Sequence, residues 1–594
     1  MFEIRKDDTY LDGKPFRLYT GAIHYFRIHP SDWERRLTLM KDFGLTAASV
    51  YVPWNLHERR RGEFDFTGHL DLAAFLECAV KVGLKVLLRP SPYICSECDM
   101  GGLPPFLLKN KDIVLRSSAP AYLAEVERWY DVLCPVFTPY LETNGGPIVL
   151  CCLENEYGGY GTDREYLRKL ADIMRVRGVD VPLYTTDWYK LTHQYFGNID
   201  GVWKAVNYRT ESERSINALK KIQQDKAPYV GELWTGRSMN VEEPYFVREL
   251  APVTDSFEKA LALGAGVDIY MFCGGTNFGD FAGATYGRGF EPREESYVRY
   301  LPMMQSYDVD APIGEDGNVT EKYYELRDVL DRHLGRPVRE RNIPRKEYQV
   351  CADIMLKKTA SLLASFTEGE KHARPLSFED AGSGYGFMIY RTTVEGVGVS
   401  IDRKLKLFGL NDSADVYVNG KLAGNVKRDR GETELVVHVP ADGASIELIV
   451  ENSGRIGFGP KINESKGFDY ATLDTLMLFN WESTPVCAED ILTVKGGNAE
   501  CDGAAIFDGE FDAKAGVDAY LNVEGLCKGY LFINGFFLGR YMQNTSQKTL
   551  YVPGGLLAEH NTVRVMEQYP HASRGVITFS DHHILTGEPK KEEI

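Results

Sequence analysis

The stretch "GGPIVLCCLENEYG", Gly145 to Gly158, decides how the first half of the chain is read. Its centre, Ile148 to Leu153, is apolar at every position, without the polar alternation of a half-exposed strand. Such a run is a strand covered on both faces. Two carboxylates and an amide, Glu154-Asn155-Glu156, follow directly. Burying charge is costly unless the charge is paired or used. The sequence therefore implies a structural ion pair or a cleft at the strand end.

Seven further segments read as strands: "YTGAIHYF" from Tyr19, "AASVYVPW" from Ala47, "KVLLRPSPYI" from Lys85, "VPLYTTDW" from Val181, "GVWKAVNY" from Gly201, "PYVGELW" from Pro228 and "DIYMFCGGTNF" from Asp268. Helical patterns lie between several of them. "SDWERRLTLMKDFG" opens with a capping box, Ser31 and Glu34, and closes on Gly44. "LDLAAFLECAVKVG" and "DREYLRKLADIMRVRG" show the 3.6-residue period. Eight β/α units predict an α/β fold, a (β/α)8 TIM barrel over residues 1–335. Two separate α/β domains are the alternative.

After the charged stretch "GRPVRERNIPRKE", Gly335 to Glu347, short alternating runs with Gly and Asn turns replace the helical patterns. Two all-β sandwich or jelly-roll domains are expected, at 348–485 and 486–594. "VYVNGKLAG" from Val416 is echoed by "LFINGFFLG" from Leu531. Asn419-Gly420 and Asn534-Gly535 predict type I′ hairpins one sandwich apart. The last residues, "GEPKKEEI", read as a frayed tail.

A formal charge of −17 over 594 residues argues against a nucleic-acid partner. No apolar run is long enough to span a bilayer, so no membrane partner is expected. The N-terminal "MFEIRKDDTYLDGK" lacks the apolar region of a secretory signal, and the simplest reading is a cytoplasmic protein. Eleven Cys without regular spacing fit reduced thiols. The one CxxC, Cys95 to Cys98, has no second pair to complete a zinc site, so no metal is expected. No G-x-S-x-G and no phosphate loop with Lys occurs, and the glycines of "YGRGF", Tyr286 to Phe290, are loop punctuation. No cofactor is expected.

Reactive groups of a β/α barrel sit at the C-terminal ends of its strands. Here those ends read "YVPWNLHE", "PYICSE", "LENE" and "GELW", and the last strand runs into "GGTNFG". Carboxylates ending the fourth and seventh strands would face each other across the barrel mouth. With many aromatics nearby, this arrangement suits glycoside hydrolysis. One carboxyl gives a proton to the leaving oxygen, and the other attacks the anomeric carbon or activates water. A separation of ~5–5.5 Å gives retention and ~6.5–9.5 Å gives inversion.

The motifs "GAIHYFRIHPSDW", "YVPWNLHE", "RPSPYICSE", "GGLPPFLL", "GGPIVLCCLENEYG", "GELWTG", "MFCGGTNFG" and "SYDVDAPIGEDG" stand in the order seen in glycoside hydrolase family 35. The chain resembles the shorter bacterial β-galactosidases of that family. The resemblance extends more weakly through "PLSFEDAGSGYGFMIYR" and "ENSGRIGFG". It implies a barrel followed by β-sandwiches, the last a galactose-binding-like jelly roll. It implies a retaining exo-β-glycosidase acting on an oligosaccharide or glycoconjugate, and a homodimer would fit. The acid/base role falls on Glu156 and the nucleophile role on Glu232. Asn155 would bind the sugar 2-hydroxyl. Tyr51, Cys95, Ser96 and Glu97 would contact other hydroxyls, with Tyr270 beside the nucleophile and Tyr307 in the same set. Glu156 should have a raised pKa and Glu232 should stay ionised. Glu154 is left as a structural or orienting carboxylate.

Three positions depart from the family pattern. Cys98 stands where it has Trp, Arg237 where it has Trp after Gly, and Val309 where it has the second Tyr of "SYDYDAP". Arg237 could bind an anionic substrate group, its planar fork suiting carboxylate or phosphate. The alternative is that it pairs with a neighbouring acid. The second functional reading is a changed glycone, an amino or acidic sugar, and a non-catalytic sugar binder is the third. His24 and His57 either line the pocket or are buried and hydrogen-bonded. Cys151, Cys152 and Trp33 read as core. A second sugar site on the β domains is a further alternative.

Overall fold

All eight apolar runs close on one another in the computed structural model, which describes residues 1–286, 300–428, 433–497 and 503–591. Apart from Tyr286, the "YGRGF" glycine stretch lies outside the described residues, as do the last three of the tail. The strands are β1 (Tyr19–Ile23), β2 (Ala47–Tyr51), β3 (Lys85–Arg89), β4 (Ile148–Asn155), β5 (Leu183–Trp188), β6 (Trp203–Tyr208), β7 (Tyr229–Trp234) and β8 (Gly266–Tyr270). They form a closed barrel in chain order, parallel throughout, with β8 returning to β1. Every residue of β4 is buried, which is why its sequence has no polar face.

A helix follows each strand: α1 (Trp33–Phe43), α2 (Leu72–Val82), α3 (Pro120–Phe137), α4 (Arg164–Val176), the short α5 (Leu191–Phe196), α6 (Ser212–Ile222), α7 (Leu250–Ala262) and α8 (Glu321–His333). Helix α1 ends on Gly44 in the left-handed region, as expected, but the Ser31–Glu34 capping box does not form. A 3-10 turn over Pro30–Asp32 moves the helix start, and Asp32 stands at the cap. Ser31 turns to His29, Glu34 pairs with Lys81, and Asp32 binds Arg36 at 2.7 Å. The caps of α2 and α4 are Asp71 and Asp163, whose carboxylates accept the N–H groups of Ala74 and Tyr166.

The bottom of the barrel is shut by an N-terminal three-stranded sheet. Its Phe2, Ile4 and Leu11 pack on Leu18, Leu150, Trp203 and Tyr229 at the strand starts. The mouth is left for chemistry.

Two sandwiches follow. The first sets a six-stranded sheet over 370–486 against a four-stranded one, with Met388, Tyr390, Leu405, Leu448 and Trp481 between them. The second is built from strands over 505–580 together with Tyr348–Gln349, Ile354–Met355 and Lys357–Ser361. Residues 348–361 therefore leave the first β domain, where the sequence placed them, for the second. The first sandwich is an insertion between strands of the other, and strand pairing over such a span leaves no local mark. Both Asn-Gly turns have two positive φ angles, 50° and 73° at Asn419-Gly420, 52° and 79° at Asn534-Gly535. The tail is not wholly frayed, since Lys590–Lys591 pairs with Phe246–Val247.

The first sandwich docks on the barrel mouth through Arg455. It is fully buried, 3.1 Å from Asp99 of the loop after β3, and also donates to Glu379. Tyr93 donates to the Gly457 carbonyl at 2.8 Å. Replacing Arg455 by Met should strand two buried carboxylates and cost about 3–5 kcal/mol, read as a lower urea midpoint. Wild-type stability in that variant would refute this assignment.

Candidate active site

Strands β4 and β7 deliver the two carboxylates. Glu156 follows β4 in the left-handed region, φ 47°, with its N–H on the Thr186 carbonyl at 2.9 Å. Glu232 pairs in register with Asn207 of β6, and Asn155 with Thr186 of β5. The side chains of β5 and β6 are thereby placed around both acids.

Glu156 receives only neutral donors. Trp188 Nε1 lies 2.8 Å and Asn207 Nδ2 2.9 Å from its Oε1. Burial, and then the charge of Glu232, pushes its carboxyl up to about 7. Glu232 is held differently. Arg89 Nη1 lies 2.8 Å and the Tyr51 hydroxyl 3.0 Å from Oε1, and Trp234 Nε1 donates to Oε2 at 2.9 Å. Arg89 also donates to the Tyr51 oxygen and to Asn155 Oδ1. One buried guanidinium thus ties together Glu232, Tyr51 and Asn155.

The wall beside them is the loop after β3. Cys95, Ser96 and Glu97 are all left-handed, with φ of 58°, 50° and 49°. Tyr307 donates to Glu97 Oε2, and the Tyr270 and Tyr307 hydroxyls are 2.7 Å apart. Burial raises the Glu97 carboxyl, with the Tyr307 hydroxyl pulling the other way. Arg27 stacks at 3.7 Å over Tyr307 and donates to the Ser96 carbonyl at 2.7 Å. The Ser96 hydroxyl donates within its own loop, to Ile94 O at 3.1 Å, rather than standing free for a sugar. Cys95 is partly exposed, and burial followed by the charges of Glu97 and Glu156 holds its thiol protonated.

Tyr51, Cys95, Glu97, Asn155, Glu156, Glu232, Tyr270 and Tyr307 are thus gathered at one place. Arg89, Trp188, Asn207, Trp234 and Arg27 were not singled out from sequence. Arg89, Trp188 and Trp234 are the last residues of strands that were read correctly, and asking each strand end for donors as well as acids would have found them. His24 lies among the tyrosines, 4.8 Å from the Tyr51 ring. His57 is structural: it is buried, bonded to Tyr25 at 2.5 Å and stacked on Phe66. Glu154 is structural too, paired in two bonds of 3.0 and 2.9 Å with buried Arg116. Among the described residues no group of three or more His, Cys, Asp or Glu could hold a metal.

The three departures each have protein neighbours of their own. Arg237 lies over the Phe246 ring at 3.9 Å, with Nη2 3.9 Å from Glu243. Val309 packs beside Met239, Val241 and Met304. Cys98 is fully buried, 3.7 Å from Arg27.

A parallel barrel whose mouth holds one acid raised toward neutrality and one carboxylate held by a cation is the equipment of a glycoside hydrolase. The chain belongs to glycosyl hydrolases family 35, whose profile it matches over residues 8–333. Residues 375–487 match the first all-beta domain of beta-galactosidase, and 504–562 its galactose-binding domain. The chain is similar to beta-galactosidase of Bos taurus, 35% identical over 95% of this chain and 90% of that one. It is 36% identical to beta-galactosidase of Felis catus over 97% and 91%, and 36% identical to that of Homo sapiens over 96% and 87%.

Arg237→Ala should change the preference between aryl galactoside and glucuronide by no more than about fivefold, since a partly exposed pair at this distance is worth about 1 kcal/mol or less. A larger swing in relative kcat/KM would make Arg237 a substrate contact.

Proposed function

We propose that the protein is a retaining exo-β-galactosidase that releases terminal β-linked galactose from oligosaccharides. The observation that carries this reading is the opposite treatment of the two acids, neutral donors on Glu156 and Arg89 on Glu232. In the first step Glu232 attacks the anomeric carbon, the bond to the aglycone oxygen breaks, and Glu156 gives that oxygen its proton. In the second, Glu156 takes a proton from water, the water oxygen attacks the same carbon, and Glu232 is released. Asn155, fixed by Arg89, is the residue for the 2-hydroxyl. Glu97, Tyr270 and Tyr307 supply donors and acceptors for the remaining hydroxyls. The seating of Arg237 on Phe246 and Glu243, of Val309 among apolar side chains and of Cys98 in the core supports a galactose pocket over a changed glycone. The proposal includes a cytoplasmic setting, in keeping with cysteines that are all free thiols among the described residues.

A 2-deoxy-2-fluorogalactoside with a good leaving group should trap Glu232 covalently, read by peptide mass spectrometry. Label on another residue, or none, would overturn the mechanism. Glu156→Gln should lower kcat/KM about 10²–10⁴-fold on galactosides with poor leaving groups and far less on activated aryl galactosides.

The proton on Glu156 is present below about 7 and lost above it, so activity should fall on the basic side of that value. Trp188 holds the carboxyl down by donating to it. Trp188→Phe should therefore move the basic limb of kcat/KM to higher pH, and a limb moved down would contradict this account.

A further inference from the structure

The strand order divides the barrel mouth into two arcs. The groups proposed to hold the galactose ring come from one of them: Tyr270 on β8 and Tyr307 after it, Tyr51 on β2, Cys95 to Glu97 after β3, and Asn155 on β4. Since β8 returns to β1, these strands are consecutive around the barrel. The other arc is β5, β6 and β7. Glu156 and Glu232 stand at its two borders, one just after β4 and the other on β7.

The second arc ends in indoles. Trp188 and Trp234 are the last residues of β5 and β7, and each follows five buried residues while being itself only half-buried. Their rings meet edge to face, with centroids 5.5 Å apart and planes at 68°. Each N–H is given to one acid, Trp188 to Glu156 at 2.8 Å and Trp234 to Glu232 at 2.9 Å. The row of rings continues outward. His193 of α5 lies 6.1 Å from the Trp188 ring. Next to it comes the half-buried Phe458 of the first sandwich, and the two flank Gly159. A Cβ there would lie 3.7 Å from Phe458 Cζ and 3.9 Å from His193 Cε1.

The reaction fixes what passes this row. Glu156 Oε1 accepts from both Trp188 and Asn207, so the proton rides on Oε2. The leaving oxygen must come to Oε2, one carboxyl group away from the Trp188 indole. With the galactose ring on the first arc, the group carried by that oxygen has the second arc to rest on. A wall of aromatic rings suits a ring with an apolar face.

We propose that Trp188, backed by Trp234, forms the subsite for the leaving group, and that it selects leaving groups built on a six-membered ring, pyranose or aryl, over acyclic ones. His193 and Phe458 extend the same wall to the next unit of a longer leaving group. The inference rests on the hydrolysis proposed above, with Glu156 as the acid and the first arc as the galactose site.

In the second step an alcohol bound in this subsite can take the place of water. Enzyme trapped by the fluorosugar, freed of excess reagent, is therefore reactivated in buffer alone or with methyl β-glucoside, phenyl β-glucoside or ethanol. The glucosides should speed reactivation along a saturating curve, and ethanol only linearly. Trp188→Ala should raise the half-saturating glucoside concentration about tenfold, whereas Trp188→Phe, which keeps a ring but loses the N–H, should stay within about threefold. Water and acceptor use the same base, so the ratio of their rates cancels any change in Glu156 itself. Saturation by methyl glucoside supports a sugar ring as the natural occupant, and saturation by phenyl glucoside alone supports an aryl one. Linear dependence on both glucosides in wild type overturns the proposal, as does an unmoved half-saturation in Trp188→Ala. If Trp188→Ala does not fold, the contrast between glucosides and ethanol in wild type decides. Failure to trap faults the mechanism instead, and the subsite is then read from kcat/KM. Phenyl galactoside should exceed a fluoroalkyl galactoside of matched leaving-group acidity by about tenfold. Equal values overturn the subsite, and no turnover of either overturns both readings.

Discussion

Glu232 lies near the end of a buried strand with almost no access to water, and the Arg89 guanidinium 2.8 Å away is the counter-charge it finds there. A lone charge in such a place would take up a proton instead. The cation is itself buried and is held by three partners, all of them part of the site. Glu156, on the far side of the mouth, is offered no cation in contact, only an indole and an amide N–H. Two identical side chains are thus given different partners, a cation on one and neutral donors on the other. That separation is what acid and nucleophile chemistry needs at one pH.

The sugar-facing loop shows a second constraint. Three successive left-handed residues, Cys95 to Glu97, cost on the order of 1–2 kcal/mol each for side chains other than glycine. The strain is offset by bonds from outside the loop. Arg27 and Gly283 fix its carbonyls, Asp99 reaches the Phe281 carbonyl, and Arg455 clamps Asp99 from the first sandwich. The β domains are therefore part of how the active site keeps its shape, whatever else they bind.

Much of this was legible in the sequence, for definite reasons. Parallel strands covered on both faces read as mostly apolar runs bounded by turns, so the eight runs were visible. A carboxylate at or just past the end region of such a strand is conspicuous, as Glu156 and Glu232 are. The family motifs assigned the surrounding set. What escaped depended on register and distance. Trp188 and Asn207 touch Glu156 only because β5 and β6 pair with their neighbours at one particular offset. Ser31 lost its capping role to a short turn imposed by Pro30 and to the pull of Arg36 on Asp32. Residues 348–361 joined the second sandwich across an inserted domain, and no local pattern records that choice.

The same electrostatics bears on which sugar the pocket suits. An acidic glycone would bring its carboxylate among Glu97, Glu156 and Glu232. The nearby cations are already committed, Arg89 to Glu232 and Asn155, Arg27 to backbone, Asn277 and the Tyr307 ring. Arg237 has settled on Phe246 and Glu243 instead. A negative substrate would thus find, among the described residues there, no cation without an existing protein partner to receive its charge, which selects against it without any contact devoted to exclusion. A neutral hexose meets the reverse. The Glu97 carboxyl oxygens and the paired hydroxyls of Tyr270 and Tyr307 supply acceptors and donors together, which is what a ring of hydroxyl groups requires. The pocket's charge layout, more than the three departures from the family pattern, is what favours a neutral sugar.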